Sequence, residues 1–152
     1  MKDKDSTNTQ FIGLIGTSMY TGVMLCIGVG LGGYWLTVEP QVYAEMFQNI
    51  FPFLLPCIAL TLLPGFIATF KSFREETNEI KKRLWQNSLI AVVVSIAITT
   101  FIAVPLNFKI WDNDTPSSQI EALLIAWLIM HAIRLTAASI GVIYAKKAIS
   151  RV

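Results

Sequence analysis

Four long stretches of this chain, about 11–38, 48–70, 88–108 and 122–145, contain a single charged residue between them, Arg134. At a rise of about 1.5 Å per residue each is long enough to match the roughly 30 Å hydrocarbon core of a bilayer, and soluble core helices rarely go so far without a charge. The 12 Lys and Arg and 10 Asp and Glu are thus confined to the ends and connections of a 152-residue sequence that is 14% charged and 54% hydrophobic, where a soluble domain carries about 25% charged residues. This distribution excludes a soluble enzyme, a coiled coil, a disordered tail and a nucleic-acid-binding module. The net charge of +2 supports no acidic partner in solution. Backbone groups in lipid must be paired within their own segment, and the runs show no alternation of period two, so helices are expected rather than barrel strands. The expected fold is all-α: an up-and-down four-helix transmembrane bundle over 11–145, with an N-terminal tail 1–10 and a basic tail 146–152.

The charges also orient the bundle. The first connection, about 39–47, holds Glu39 and Glu45 and no cation, the second, about 71–87, holds Lys71, Arg74, Lys81, Lys82 and Arg83, and the third, about 109–121, holds Lys109 alone. With Lys2, Lys4, Lys146, Lys147 and Arg151, ten cations lie on one side and one on the other. The positive-inside rule then places both termini in the cytoplasm, with the chain in the cell (inner) membrane. The first apolar run exceeds the about 7–15 residues of a secretory signal core and is expected to stay as an anchor. Trp35, Trp111 and Trp127 fall near the outer boundary and Trp85 near the inner one, as interfacial aromatics would. Cys26 and Cys57 form no CxxC pair and, lying in apolar runs, are expected to be buried structural thiols.

Span 1 carries seven of the nine glycines, including a Gly28-xxx-Gly32 spacing that permits close approach by another helix, from this chain or from a second copy in a homo-oligomer. Span 2 carries Pro52, Pro56 and Pro64, which remove backbone donors and should kink it. The second connection reads as a short amphipathic or extended helix with a solvated charged face. In span 3 Pro105 reads as a helix end near the outer boundary, with Asn107 offering a donor and an acceptor there. Asp112 and Asp114, in a turn-rich stretch, read as solvated carboxylates.

Span 4 is the informative one. Trp127, His131 and Arg134, spaced i, i+4 and i+7, share one face continued by Ala138 and Gly141, and that face should look into the bundle. Arg134 falls near mid-membrane, where an arginine costs at least about 2.5–3.5 kcal/mol. No Asp or Glu occurs in any span, so its candidate partners are carbonyls freed by the prolines of span 2, the hydroxyls of Tyr20, Thr61, Thr99 and Thr100, or an anionic ligand. A neutral His131 one turn away is a competent general base. As the only histidine it cannot supply bis-histidine haem ligation or a multi-histidine metal site. Trp127 reads either as an interfacial anchor or as a ring stacked on substrate.

Pro105-Leu106-Asn107, the acidic turn after it, and Trp127-x3-His131-x2-Arg134 on the last helix together resemble the anthrone-oxygenase-like family of small four-helix membrane proteins, most of whose members are domains of unknown function. Glu39-Pro40 after a glycine-rich helix is similar to that family's first connection. The resemblance implies oxidation of an anthrone to an anthraquinone by molecular oxygen without metal, flavin or other cofactor. On this reading His131 and Arg134 would be catalytic, as base and as cation for an enolate or peroxide, and Asn107 and Trp127 would bind substrate. The residues leave two function classes open: an oxidoreductase of hydrophobic phenols, and a non-catalytic membrane protein that binds a lipid or quinone-like molecule or serves as a subunit of a membrane complex. The expected partners are the lipid bilayer and a hydrophobic small molecule, with no nucleic acid. A proton-coupled multidrug transporter is disfavoured because spans 1 to 3 offer no carboxylate.

Overall fold

The computed structural model describes the backbone of residues 2–112 and 114–150, with side chains from residue 7 onward except Ser117. The side chains of Lys2, Lys4 and Arg151, counted on the basic side, lie outside it. The helices are α1 (Lys2–Trp35), α2 (Pro40–Glu75), α3 (Glu79–Ile98), α4 (Val104–Trp111) and α5 (Ser117–Ser150), and a π-helical turn at Thr99–Ala103 joins α3 to α4 into one rod. Four rods, Thr7–Trp35, Pro40–Glu75, Glu79–Trp111 and Ser118–Ser150, are long and apolar enough to cross a membrane. The chain is a multi-pass membrane protein with the expected all-α four-helix bundle. Each rod packs against its sequence neighbours, and α1 against α5 closes the ring, as an up-and-down bundle requires.

The rods outrun the apolar runs because the connecting residues also form helix. Pro40 occupies the first turn of α2 after an extended Glu39, a position where its missing N–H costs nothing and its fixed φ suits the helix. Tyr43, Ala44 and Phe47 then share the buried face of α2, so the expected first connection 39–47 is mostly helix and the true linker is Leu36–Glu39. At the other end α2 continues to Glu75 and α3 starts at Glu79. Asn78 caps α3 by accepting from Ile80 N and Lys81 N, satisfying two of its free donors. The separate helix expected at 71–87 is therefore divided between the ends of α2 and α3. Pro52, Pro56 and Pro64 lie inside α2 without dividing it.

Along α5 the buried positions are Ile120, Leu124, Trp127, His131, Arg134, Ala138, Gly141, Ala145 and Ala148. Their spacing alternates strictly between four and three, the seam of a left-handed helix bundle. Near the basic end this seam is made of small residues. Ser88 Oγ donates to Gly141 O at 2.8 Å, and Trp85 packs on Ala145 and Ala148. Gly16 and Gly65 meet where α1 crosses α2, and a Cβ on Gly65 would lie 2.6 Å from the Gly16 carbonyl carbon, so only hydrogen fits. Toward the acidic end, where Glu39, Glu45, Asp112, Asp114 and Glu121 gather, the core turns aromatic.

The π turn decides which residues of the third rod face that core. From Trp85 the seam runs through Ser88, Val92, Ser95 and Thr99, and an unbroken alternation would continue to Ile102, Leu106 and Lys109. Instead Ala103, Asn107 and Ile110 are buried while Ile102 and Lys109 are exposed. One extra residue has been absorbed: Val104 N–H donates to Thr99 O, five residues back. Pro105 supplies the reason, since it has no N–H and its ring conflicts with a carbonyl four residues behind in a regular α-helix. Pro105 thus does not end the helix as expected, but turns Asn107 inward and Lys109 outward.

Two further expectations fail for a common reason. Cys26 and Cys57 are free and exposed on outward faces, not buried. Trp85, expected at the inner interface, is 0% exposed and packs inside the bundle; Trp127, 2% exposed, faces inward with His131 and Arg134 as their shared face predicted, rather than serving as an interfacial anchor. In a membrane protein the outward face is as apolar as the interior, so an apolar run does not tell inside from outside.

Candidate functional site

His131 is held on two sides. Its Nε2–H donates to the Met24 carbonyl at 2.8 Å, a carbonyl of α1 that only accepts, which assigns the proton to Nε2 and the lone pair to Nδ1. That lone pair accepts from Arg134, from Nη2 at 2.6 Å and from Nε at 3.1 Å. The bond to Met24 is possible because Gly28 leaves a slot: a Cβ there would lie 2.7 Å from His131 Nε2. Gly32 likewise accommodates Leu128 of α5. The Gly28-xxx-Gly32 face is therefore occupied by this chain's own last helix. Trp127 stacks on the imidazole, with centroids 5.1 Å apart and planes 20° apart, and its ring lies 5.7 Å from Arg134 Cζ, within cation–π range.

Arg134 is 6% exposed, and among the described residues its one side-chain hydrogen bond beyond His131 is from Nη1 to Thr99 Oγ1 at 3.5 Å, the outer limit of a hydrogen bond. Thr99 Oγ1 itself donates to Ser95 O. Of the other hydroxyls considered as partners, Tyr20 pairs with Ser95 at 2.9 Å, Thr61 bonds carbonyls of its own helix and Thr100 is exposed. Among the described residues the guanidinium thus hydrogen-bonds to neutral groups only. A buried charge without a partner costs several kcal/mol even after relaxation, and the histidine, the indole and one distant hydroxyl offset part of it.

Arg134 also lines a cavity of about 70 Å³. One wall is α2, with Phe47, Phe51, Leu54, Leu55 and Ile58, and the opposite wall is the third rod, with Thr99, Ala103, Val104 and Asn107; Ile27, Trp127 and Arg134 complete it. Three of the four residues singled out in the sequence, Asn107, Trp127 and Arg134, meet here. His131, the fourth, is 3% exposed and stands behind Arg134, outside the lining. Asn107 Oδ1 and Trp127 Nε1 are buried without a hydrogen-bond partner, which interiors rarely tolerate. Toward the acidic end the cavity abuts an aromatic cluster in which Phe47 lies edge-on to Trp127 at 5.5 Å and to Trp111 at 5.6 Å.

Sequence reasoning missed Phe47 because it falls outside the apolar run 48–70, and Phe51 because nothing within that run marks it from its apolar neighbours, although their i, i+4 spacing with Tyr43 was readable. It missed the Met24 carbonyl entirely, since a backbone acceptor leaves no sequence signal. The wall formed by α2 is thin: between Phe47 and Gly65 no residue of that helix is buried. The site can therefore offer a cation, an amide and an indole N–H to a molecule arriving from the side, between α2 and the third rod. Asp112, by contrast, is used by the connecting turn, its Oδ1 accepting from Asp114 N; Asn113, between them, lies outside the described residues. No family model, no curated protein and no solved structure matches this chain.

Proposed function

We propose that this protein binds a hydrophobic small molecule, phenolic or quinone-like, from the bilayer, seating its oxygen against Arg134, Asn107 and Trp127. The observation that carries the reading is a single one: Arg134, a buried cation without a carboxylate partner, lines a largely apolar cavity together with Asn107 and Trp127, whose amide oxygen and indole N–H are buried without hydrogen-bond partners. A cavity of about 70 Å³ is smaller than a ring system requires, since about 150 Å³ accommodates benzene. Binding therefore involves outward movement of α2, whose Pro52 and Pro56 leave its ladder short of donors beside the cavity. Purified protein in detergent should unfold at a temperature that rises saturably with an added phenol or quinone. No shift across a panel of anthrones, hydroquinones and quinones would leave the subunit role in its place.

Oxygenation is the second reading, favoured by the same cation, which would stabilise an enolate or peroxide. An anthrone loses a proton to give a carbanion, molecular oxygen adds, and the CH2 becomes C=O with the second oxygen atom leaving as water. In the free protein the Nδ1 lone pair of His131 is spent on Arg134; an anionic ligand that draws the guanidinium toward itself would free that lone pair to take the proton. Oxygen uptake with emodin anthrone, above the rate in buffered detergent, is the expected result.

The acidic end is proposed to face outward and the termini the cytoplasm of a cell (inner) membrane, from the basic residues of the second connection and the C-terminal turn. In a background lacking Cys26 and Cys57, cysteines introduced at Asn78 and Asp114 should label from opposite sides, Asp114 from outside. Equal labelling of intact cells at both positions would reject this orientation.

A further inference from the structure

We infer that the inner end of this cavity is a binding site for one small monovalent anion of halide size. The site rests on the same cavity as the proposed ligand but does not require that ligand to exist. Three observations converge on it. The four apolar runs, 11–38, 48–70, 88–108 and 122–145, offer the guanidinium of Arg134 no carboxylate, and its hydrogen bonds run to neutral groups. Trp127, 2% exposed and in the same lining, carries a second donor, its Nε1–H, that has no acceptor. Asn107, 4% exposed, completes it: half a turn of its amide exchanges the unpartnered oxygen for an N–H.

Charge and size then set the selectivity. One guanidinium in a low-dielectric interior neutralises one negative charge, so a dianion would leave an excess that the membrane penalises as much as the original cation. A cavity of about 70 Å³ has room for an ion of water's size, whose share of liquid volume is about 30 Å³. The apolar walls contributed by Phe51, Leu54 and Ile58 favour weakly hydrated anions, which give up their water cheaply. Bromide and chloride should therefore bind, bromide more tightly, and sulfate should not. An organic ligand would bring its own oxyanion to the same donors and displace the halide.

The full chain in detergent, at constant ionic strength balanced with sodium gluconate, provides the test. Thermal unfolding should shift upward saturably with sodium chloride and at lower concentration with sodium bromide, while sulfate gives no more than gluconate. Arg134→Leu should remove the halide response. Trp127→Phe keeps the ring and deletes the N–H, so the halide midpoint should rise about tenfold, the size of one charge-assisted hydrogen bond. Equal unfolding temperatures in bromide and gluconate would overturn the site, as would an undiminished halide response in Arg134→Leu. Should that variant fail to fold, an unchanged midpoint in Trp127→Phe overturns it alone. Emodin added against bromide separates the two readings. A halide response with no phenol response leaves the anion site and removes the organic ligand. A phenol response without any halide response removes the anion site and leaves the ligand.

Discussion

Arg134→Leu is expected to abolish stabilisation by a bound phenol or quinone while the free protein stays folded. At a ligand concentration about one hundred times Kd, binding adds about 2.7 kcal/mol to stability, and all of it should vanish. The free protein should lose little. The substitution leaves His131 Nδ1 without its donors, a cost of about 1–3 kcal/mol, but it also removes a buried charge that has no carboxylate partner, a relief of several kcal/mol. Unfolding temperature in the absence of ligand should therefore be unchanged or raised. Arg134→Lys should bind poorly, because a point charge cannot hold Nδ1 and the ligand at once as the planar fork does. If the protein oxygenates its ligand, loss of this cation should lower the rate by about 10²–10³-fold. A Leu variant that is still stabilised by the same compound at the same concentrations would show that Arg134 only ties helices together.

The second large effect concerns His131, and its two replacements should behave differently. Glutamine carries an N–H donor and an oxygen acceptor, so His131→Gln can meet Met24 O and Arg134 together and should bind the ligand within about threefold of wild type, whereas His131→Leu leaves both unpaired and should bind weakly. Oxygen uptake should separate the roles further: glutamine takes no proton, so a positioned base would cost about 10²–10⁴-fold in rate on His131→Gln even where binding is kept. Gly28→Val tests the same arrangement from the facing helix. A side chain there must displace the imidazole, whose Nε2 would lie 2.7 Å from the new Cβ, and overpacking of this kind costs about 1–3 kcal/mol. Val at Gly22, where nothing lies within 4 Å, should leave stability and binding alone. Equal behaviour of the two valine variants, or of His131→Gln and His131→Leu, would remove His131 from the support of Arg134.

The sequence by itself determined the four spans, their up-and-down order and the inward face of the last helix. The first followed from the absence of charge over membrane-length runs. The last followed because Trp127, His131, Arg134, Ala138 and Gly141 are polar, bulky or small in a repeating pattern, and residues of that kind are expensive or wasted against lipid. Boundaries were less legible. Tyr43, Ala44 and Phe47 belong to a buried helix face although Glu39, Glu45 and Gln48 around them made the stretch look like a connection. The orientation of Cys26, Cys57 and Trp85 was not legible at all, since interior and exterior are equally apolar in a bilayer.

Tertiary structure alone decided three features. One was the phase of the third rod: a proline predicts a disturbed ladder, but not that one residue is absorbed as a π turn and Asn107 thereby faces the core in place of Leu106. The second was the partner of Arg134, which is a side chain of its own helix one turn away and not a carbonyl released by α2. The third was that Gly28 serves His131, a relation between residues far apart in the sequence that exists only because α1 and α5 pack side by side. Each depends on distances between rods, and local sequence, which fixes periodicity within a helix, carries no information about how neighbouring helices are rotated against one another.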